Sequence, residues 1–382
     1  MYSLSAYGSM IVDRVRVDAY AEALRKTVRS GSVVVEIGTG PGVFAVLACQ
    51  LGASRVFAIE PTEIIQVARE VAAANGCAGN IEFFEELSNR VTLPVQADVI
   101  VSDLRGVLPL FQRHIPVIVD ARRRFLVPGG TMIPRKDMLW AAVVEAPKTY
   151  GEVVDPWEQN LFGEDLNPAR RLAVNNVKKI RVSPGQLLTE HRLWTTLNYA
   201  HVESSDVRAN LEWTLERPGT GHGIVVWFDG ELAEGVSFSN APGSVEGIYD
   251  SLFFPWPQPV LLSRGQIVCT NLEAKLVEEE YIWRWTTNIE PFEKSGASAI
   301  HFEQSQLNGA VLSAAQLRRI AADYIPRLSD EGILRRRTFE LMDGKLSLEG
   351  IACRLVGEFP KRFSSMQEAL SYAGVVSQEY SR

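Results

Sequence analysis

One short stretch restricts this chain more than any other: Val33-Val34-Val35-Glu36-Ile37 runs into Gly38-Thr39-Gly40-Pro41-Gly42 and then Val43-Phe44-Ala45-Val46-Leu47-Ala48. A β-branched apolar run, a glycine turn and an apolar helical stretch open a βαβ unit. The next strand, Arg55-Val56-Phe57-Ala58-Ile59, ends at Glu60. Glycines let the turn pass close beneath a ligand, and an acid at the tip of the second strand accepts hydrogen bonds from ribose hydroxyls, so the unit suits a nucleoside. A dinucleotide fingerprint needs Gly-x-Gly-x-x-Gly. Here Val43 stands at the third glycine and Gly42 comes one place early, which weakens a pyrophosphate reading.

Two further runs extend the unit: Ala97-Asp98-Val99-Ile100-Val101-Ser102-Asp103 and Phe125-Leu126-Val127-Pro128-Gly129-Gly130-Thr131-Met132-Ile133-Pro134. Ligands of an open α/β sheet sit beyond the carboxyl ends of the strands, so Asp103 reads as a cleft residue; its other reading is a helix N-cap at a strand exit. With 382 residues the chain predicts two or three domains. The absence of a long apolar run argues against a membrane span, and the start of the chain lacks a secretory pattern, so a cytoplasmic protein is expected. A net charge of −7 opposes a nucleic-acid partner. The four cysteines form no Cys-x-x-Cys pair, and the five histidines show no ligand spacing, so neither a disulfide framework nor a metal is expected. Each isolated histidine reads first as structural.

A Gly-x-Gly-x-Gly turn with Glu36 two residues ahead is the methyltransferase form, in which the turn faces the amino-acid end of S-adenosylmethionine (SAM). Upstream, Met10-Ile11-Val12-Asp13-Arg14-Val15-Arg16-Val17-Asp18-Ala19-Tyr20 resembles the Met-Leu-Lys-Asp-x-Val-Arg-Thr-x-x-Tyr segment of the protein arginine methyltransferases. The glycine turn, the Val56-to-Glu60 strand and the Ser102-Asp103-Leu104-Arg105-Gly106-Val107 loop follow in family order. The resemblance implies a class I SAM-dependent methyltransferase with an α/β fold. Its expected parts are N-terminal cofactor-covering helices (1–30), a Rossmann-like doubly wound sheet (31–147), a β-barrel substrate domain (148–304) with a dimerisation arm near 156–178, and a small helical C-terminal domain (305–382). It implies a homodimer. By the same resemblance Arg16 binds the SAM carboxylate, Glu60 the ribose, and Ser88 and Asn89 the adenine. Tyr7, Met10, Glu36, Gly38, Gly40, Gly42 and Pro61 complete the expected cofactor positions. On pattern alone Arg16 reads as a solvated helix charge; an arginine nevertheless suits a carboxylate because its planar fork donates two parallel hydrogen bonds.

Beyond Pro147, short alternating segments separated by glycine and proline read as a barrel. Two stretches, His222 to Asp229 and Phe238 to Pro242, are similar to the barrel of the same family, and Trp157 with Phe162-Gly163-Glu164-Asp165-Leu166 lies where its arm falls. In the tail, Ser313-Ala314-Ala315-Gln316 fits a capping box, followed at helical spacing by Leu317, Ile320, Ala321 and Tyr324. Residues 339–352 faintly resemble the winged-helix peptide chaperones of pyrroloquinoline quinone biosynthesis, which implies recruitment of a peptide or carrier. The other reading is a packing or dimerisation module.

The family pattern breaks at the acceptor. Its two clamp glutamates correspond to Asp103 and the uncharged Gln112, its Thr-His-Trp loop reads Gly247-Ile248-Tyr249, and Arg105, Arg113 and His114 add positive or titratable charge. Burying a guanidinium beside too little opposite charge costs several kcal/mol. The expectation is therefore a small-molecule or peptide acceptor other than a protein arginine, with Asp103, Gln112 and His114 as candidate catalytic residues. Arginine N-methylation and a non-catalytic SAM-binding scaffold remain the alternatives.

Overall fold

The computed structural model describes residues 3–159, 162–291 and 298–381. Two helices, α1 (Leu4–Val12) and α2 (Arg14–Thr27), precede the sheet. Ser3 caps α1 by accepting from Ala6 N, and Asp13 caps α2 by accepting from Arg16 N. The sheet that follows contains β1 (Val33–Ile37), β2 (Arg55–Ile59), β3 (Ile81–Phe84), β4 (Ala97–Ser102) and β5 (Leu126–Ile133), with α3 (Val43–Gln50), α4 (Ile65–Ala74) and α5 (His114–Phe125) between them. Its strands are all parallel in the order β3-β2-β1-β4-β5. The order reverses beside β1, and the carboxyl ends of β1, β2 and β4 open one crevice.

The chain then builds two antiparallel sheets. One contains β6 (Lys136–Val144), β7 (Lys178–Ile180), β8 (Arg192–Asn198), β10 (Gly219–Ala233), β11 (Val236–Ser239) and β12 (Ser251–Leu262); the other contains β9 (Val207–Thr214), β13 (Ile267–Val277), β14 (Glu280–Ile289) and β15 (Ile300–Ser305). Three indoles tie the sheets together: Trp213 Nε1 donates to Ala141 O, Trp285 Nε1 to Pro255 O and Trp194 Nε1 to Leu272 O, each at 3.2 Å. Central strand β10 is apolar on both faces for a reason. Ile224, Val226 and Phe228 join the core shared with the parallel sheet, whereas Val225 and Trp227 join a second core beneath α6 (Pro147–Glu158). A short helix α7 (Asn167–Ala173) follows α6, and residues 160 and 161 of the expected arm lie outside the described residues.

The change of architecture comes earlier than residue 148. Strand β6 belongs to the antiparallel sheet, pairing with β10 and β8, so the switch falls between Ile133 and Lys136. Its sequence hides this, because a run buried on both faces does not reveal whether its neighbours are parallel or antiparallel.

Residues up to Ala310, including the one-turn α8 (Gln306–Gly309), form one compact unit, and Val311–Arg382 form another. In the second unit, α10 (Asp330–Leu341), α11 (Leu348–Glu358) and α12 (Met366–Tyr380) enclose their own core around Leu334, Ile351, Leu355, Phe363 and Ala369. Ser313 does cap a helix, α9 (Ala314–Arg319), but it ends before Ile320 instead of continuing to Tyr324, and Ile320 is 80% exposed. A six-residue helix that buries none of its residues lacks the packing that normally sustains helices this short. No helix among the described residues is long and apolar enough to cross a membrane.

Candidate active site

The glycine turn is held tightly at the mouth of the crevice. Gly38, Gly40 and Gly42 have φ of 75°, 51° and 83°. A Cβ on Gly40 would lie 2.9 Å from the Tyr7 ring, and one on Gly42 would lie 2.9 Å from Ala68 Cβ. These positions therefore demand glycine for both conformation and space. Gly38 N and Thr39 N donate to Ile59 O, and Gly40 N donates to Glu60 Oε2 at 3.2 Å. Thr62 N and Oγ1 donate to the other oxygen, Glu60 Oε1. The acid at the tip of β2 thus fastens the turn that ends β1. Glu36 lies just beneath, 3% exposed, accepting from Thr39 Oγ1. Burial pushes its carboxyl up to about 8, against the lowering effect of the Thr39 hydrogen bond.

Asp103, at the exit of β4, is the hub of a second cluster. Its Oδ2 accepts from Arg16 Nε at 2.6 Å, and its Oδ1 accepts from Tyr249 OH at 2.7 Å and Arg105 Nη1 at 3.0 Å. Burial alone would raise its pKa, but the Arg16 and Arg105 charges hold it below the ordinary carboxylate range. Arg105 forms a two-pronged pair with Asp137, Nε to Oδ2 at 2.9 Å and Nη2 to Oδ1 at 2.8 Å, and its Nη1 also donates to Tyr20 OH at 2.6 Å. Tyr20 OH in turn donates to Ser102 O. Tyr199 OH donates to Asp137, and His114 Nε2 lies 3.0 Å from Tyr199 OH. The side chains of Arg105 and Asp137 are wholly inaccessible.

Comparison with known proteins agrees with both halves of this geometry. Residues 20–144 match the family profile described as ribosomal protein L11 methyltransferase, and residues 135–280 match that of the arginine methyltransferase oligomerization subdomain. Over 273 residues the chain is 25% identical to protein arginine N-methyltransferase 1 of Dictyostelium discoideum, covering 69% of this chain and 80% of that one. It is 31% identical over 288 residues to a probable histone-arginine methyltransferase of Oryza sativa subsp. indica, covering 69% of this chain and 53% of the relative. The chain is a protein arginine methyltransferase-like, SAM-dependent methyltransferase. In fold, this methyltransferase resembles the Trypanosoma brucei protein arginine methyltransferase 1 enzyme–prozyme complex with AdoHcy, with a TM-score of 0.73 at 17% identity over 79% of this chain and 98% of that chain. It likewise resembles Arabidopsis thaliana protein arginine methyltransferase 10, with a TM-score of 0.70 at 20% identity over 80% of this chain and 98% of that one. It spans about half the length of several plant relatives, 53% of the rice protein above and 53% of a probable arginine methyltransferase of Arabidopsis thaliana.

Most expected cofactor positions of the methyltransferase converge. Tyr7 packs over Gly40, Arg16 donates to Met10 O at 3.1 Å, and Pro61 follows Glu60 at the end of β2. Ser88 is buried and Asn89 exposed on the short turn after β3, the strand beside β2. The catalytic candidates divide. Asp103 is central. Gln112 is exposed, with φ 42°. His114 is buried against Tyr199, and burial, helped by the Arg105 charge, pushes its pKa down to about 3. Arg113 is exposed and pairs with Glu279, away from the hub. Asp137, Tyr20 and Tyr199 escaped the sequence reading. The available signal was Asp137 itself, an acid opening an apolar strand, since a charge there needs a partner.

Proposed function

We propose that this methyltransferase acts on arginine, free or in a peptide, holding the guanidinium at Asp103. The observation that carries the reading is an ionised carboxylate at the carboxyl end of β4, next to the glycine turn and reached from the barrel side through Tyr249. The similarity to protein arginine N-methyltransferases supports the same acceptor. The cofactor half suits SAM: positive-φ glycines leave room beneath a ligand, Glu60 offers oxygens to a ribose, and Arg16 carries a carboxylate-matching fork. SAM supplies an activated methyl group. The chain's own task is to align the acceptor nitrogen and shield the site from water. Asp103 orients the acceptor as a carboxylate, because the Arg16 and Arg105 charges favour its ionised form.

A second reading, a neutral or less basic acceptor, is favoured by one observation: Asp103 already carries two arginines of its own chain. Mass spectrometry after incubation with SAM and a panel of free arginine, arginine peptides, amides and hydroxyl compounds separates the two. Methylated arginine in the wild type, reduced about 100-fold in Asp103→Asn, is the expected result. Turnover confined to non-guanidine acceptors selects the second reading.

The match to an oligomerization subdomain supports a homodimer joined through the α6–α7 arm, which exposes Trp157, Phe162 and Leu166. Analytical ultracentrifugation should give twice the chain mass, and Phe162→Glu should shift the equilibrium toward monomer. A wild-type monomer at micromolar concentration removes this assembly.

A further inference from the structure

A carboxylate has about four lone-pair sites, two on each oxygen. In Asp103 the two on Oδ1 are taken, by Arg105 Nη1 and Tyr249 OH, whereas among the described residues Oδ2 receives only Arg16 Nε. The three donors differ in freedom. Arg16 retains 12% side-chain exposure, and Tyr249 borders a cleft of about 370 Å3 formed with Arg181, Ser183, Glu246 and Asp250. Arg105 has no such latitude: its side chain is inaccessible, its fork is clamped by Asp137, and Phe228 and Phe238 flank it with ring centres 5.5 Å away. Rearranging it would strand Asp137 as an unpaired buried charge, which costs far more than losing a surface pair.

We propose that Arg105 is a specificity-determining residue: clamped by Asp137, it supplies an internal guanidinium to Oδ1 of Asp103, so that an acceptor meets one carboxylate oxygen, Oδ2, instead of two. This deepens the reading above and rests on Asp103 being the acceptor-binding residue. A guanidinium binds a free carboxylate through two parallel N–H···O bonds. Here it can make one. The site therefore grips arginine weakly and discriminates less sharply against acceptors that offer a single N–H or O–H.

The test removes the internal pair as a unit, in Arg105→Met combined with Asp137→Asn, so that neither charge is left alone. Arg105→Lys provides a second variant, which keeps a charge opposite Asp137 but replaces the fork with a point donor. AdoHcy binding, measured by calorimetry on the full chain, reports an intact cofactor half, and KM for an arginine peptide is compared with KM for a single-donor amide acceptor. We expect KM for the arginine peptide to fall about five-fold or more in the double variant and about two-fold in Arg105→Lys, with AdoHcy affinity and the amide KM little changed. Arginine turnover gained by a variant where the wild type has none would support the inference while retiring arginine as the natural acceptor. Unchanged arginine KM, or no arginine turnover in any form despite intact AdoHcy binding, would overturn it. If the double variant does not fold, Arg105→Lys alone decides by the same criteria.

Discussion

Glu36 carries a buried carboxyl whose pKa stands at about 8 instead of its ordinary 4.5. Between those values the folded chain holds a proton that the unfolded chain has released, so folding stability must fall as pH rises through the interval. Urea unfolding from pH 5 to 8 should show this loss, on the order of a few kcal/mol, and Glu36→Gln should flatten it relative to the wild type. Identical slopes in both proteins would mean that Glu36 ionises normally. A cationic ligand group beside Glu36 would draw its proton off, so SAM binding should release protons near neutral pH, seen as buffer-dependent heats. At Glu60 two roles coincide, since the same carboxylate fastens Gly40 and Thr62. Glu60→Ala should weaken SAM binding by about 1–3 kcal/mol as hydrogen bonds to a charged group are lost. A folded variant with an unchanged dissociation constant would remove Glu60 from the site.

At the scale of elements, α2 links the two halves of the crevice. Its cap, Asp13, accepts from Arg16 N through Oδ1 at 3.2 Å and from Ile248 N through Oδ2 at 2.8 Å. One side chain thus starts the helix that carries Arg16 and Tyr20 and anchors the loop that carries Tyr249. Asp13→Ala should cost about 1–2 kcal/mol of stability through the lost cap. It should also lower methyl transfer more than AdoHcy binding, because the barrel loop loses its tether. Equal losses in both would assign Asp13 to helix stability alone. The loop after β4 illustrates the opposite case: Gln112 occupies a clamp position by alignment, yet the left-handed backbone there leaves it exposed at the surface.

At the scale of the whole molecule, the second unit encloses its own apolar core, so it should fold without the first. A chain ending at residue 310 should keep AdoHcy affinity, and residues 311–382 expressed alone should give a cooperative helical melt by circular dichroism. Loss of cofactor binding on truncation would show that the tail supports the larger unit. Much of this organisation was legible beforehand. Strand β1, the turn and β2 follow from residues within about thirty positions of one another, because β-branched runs, positive-φ glycines and a terminal acid act locally. The helical tail and the cap at Ser313 were legible for the same reason. The sequence also showed that Arg105 stood near Asp103 and that the family's acid was missing at Gln112. It could not show that Arg105 turns inward to Asp137, 32 positions away on the first barrel strand, or that Tyr20, 85 positions before Arg105, and Tyr199, 62 positions after Asp137, close around the pair. A buried charge is compatible with a sequence only through its partner, and only the packing of the barrel against the parallel sheet decided which partner that is.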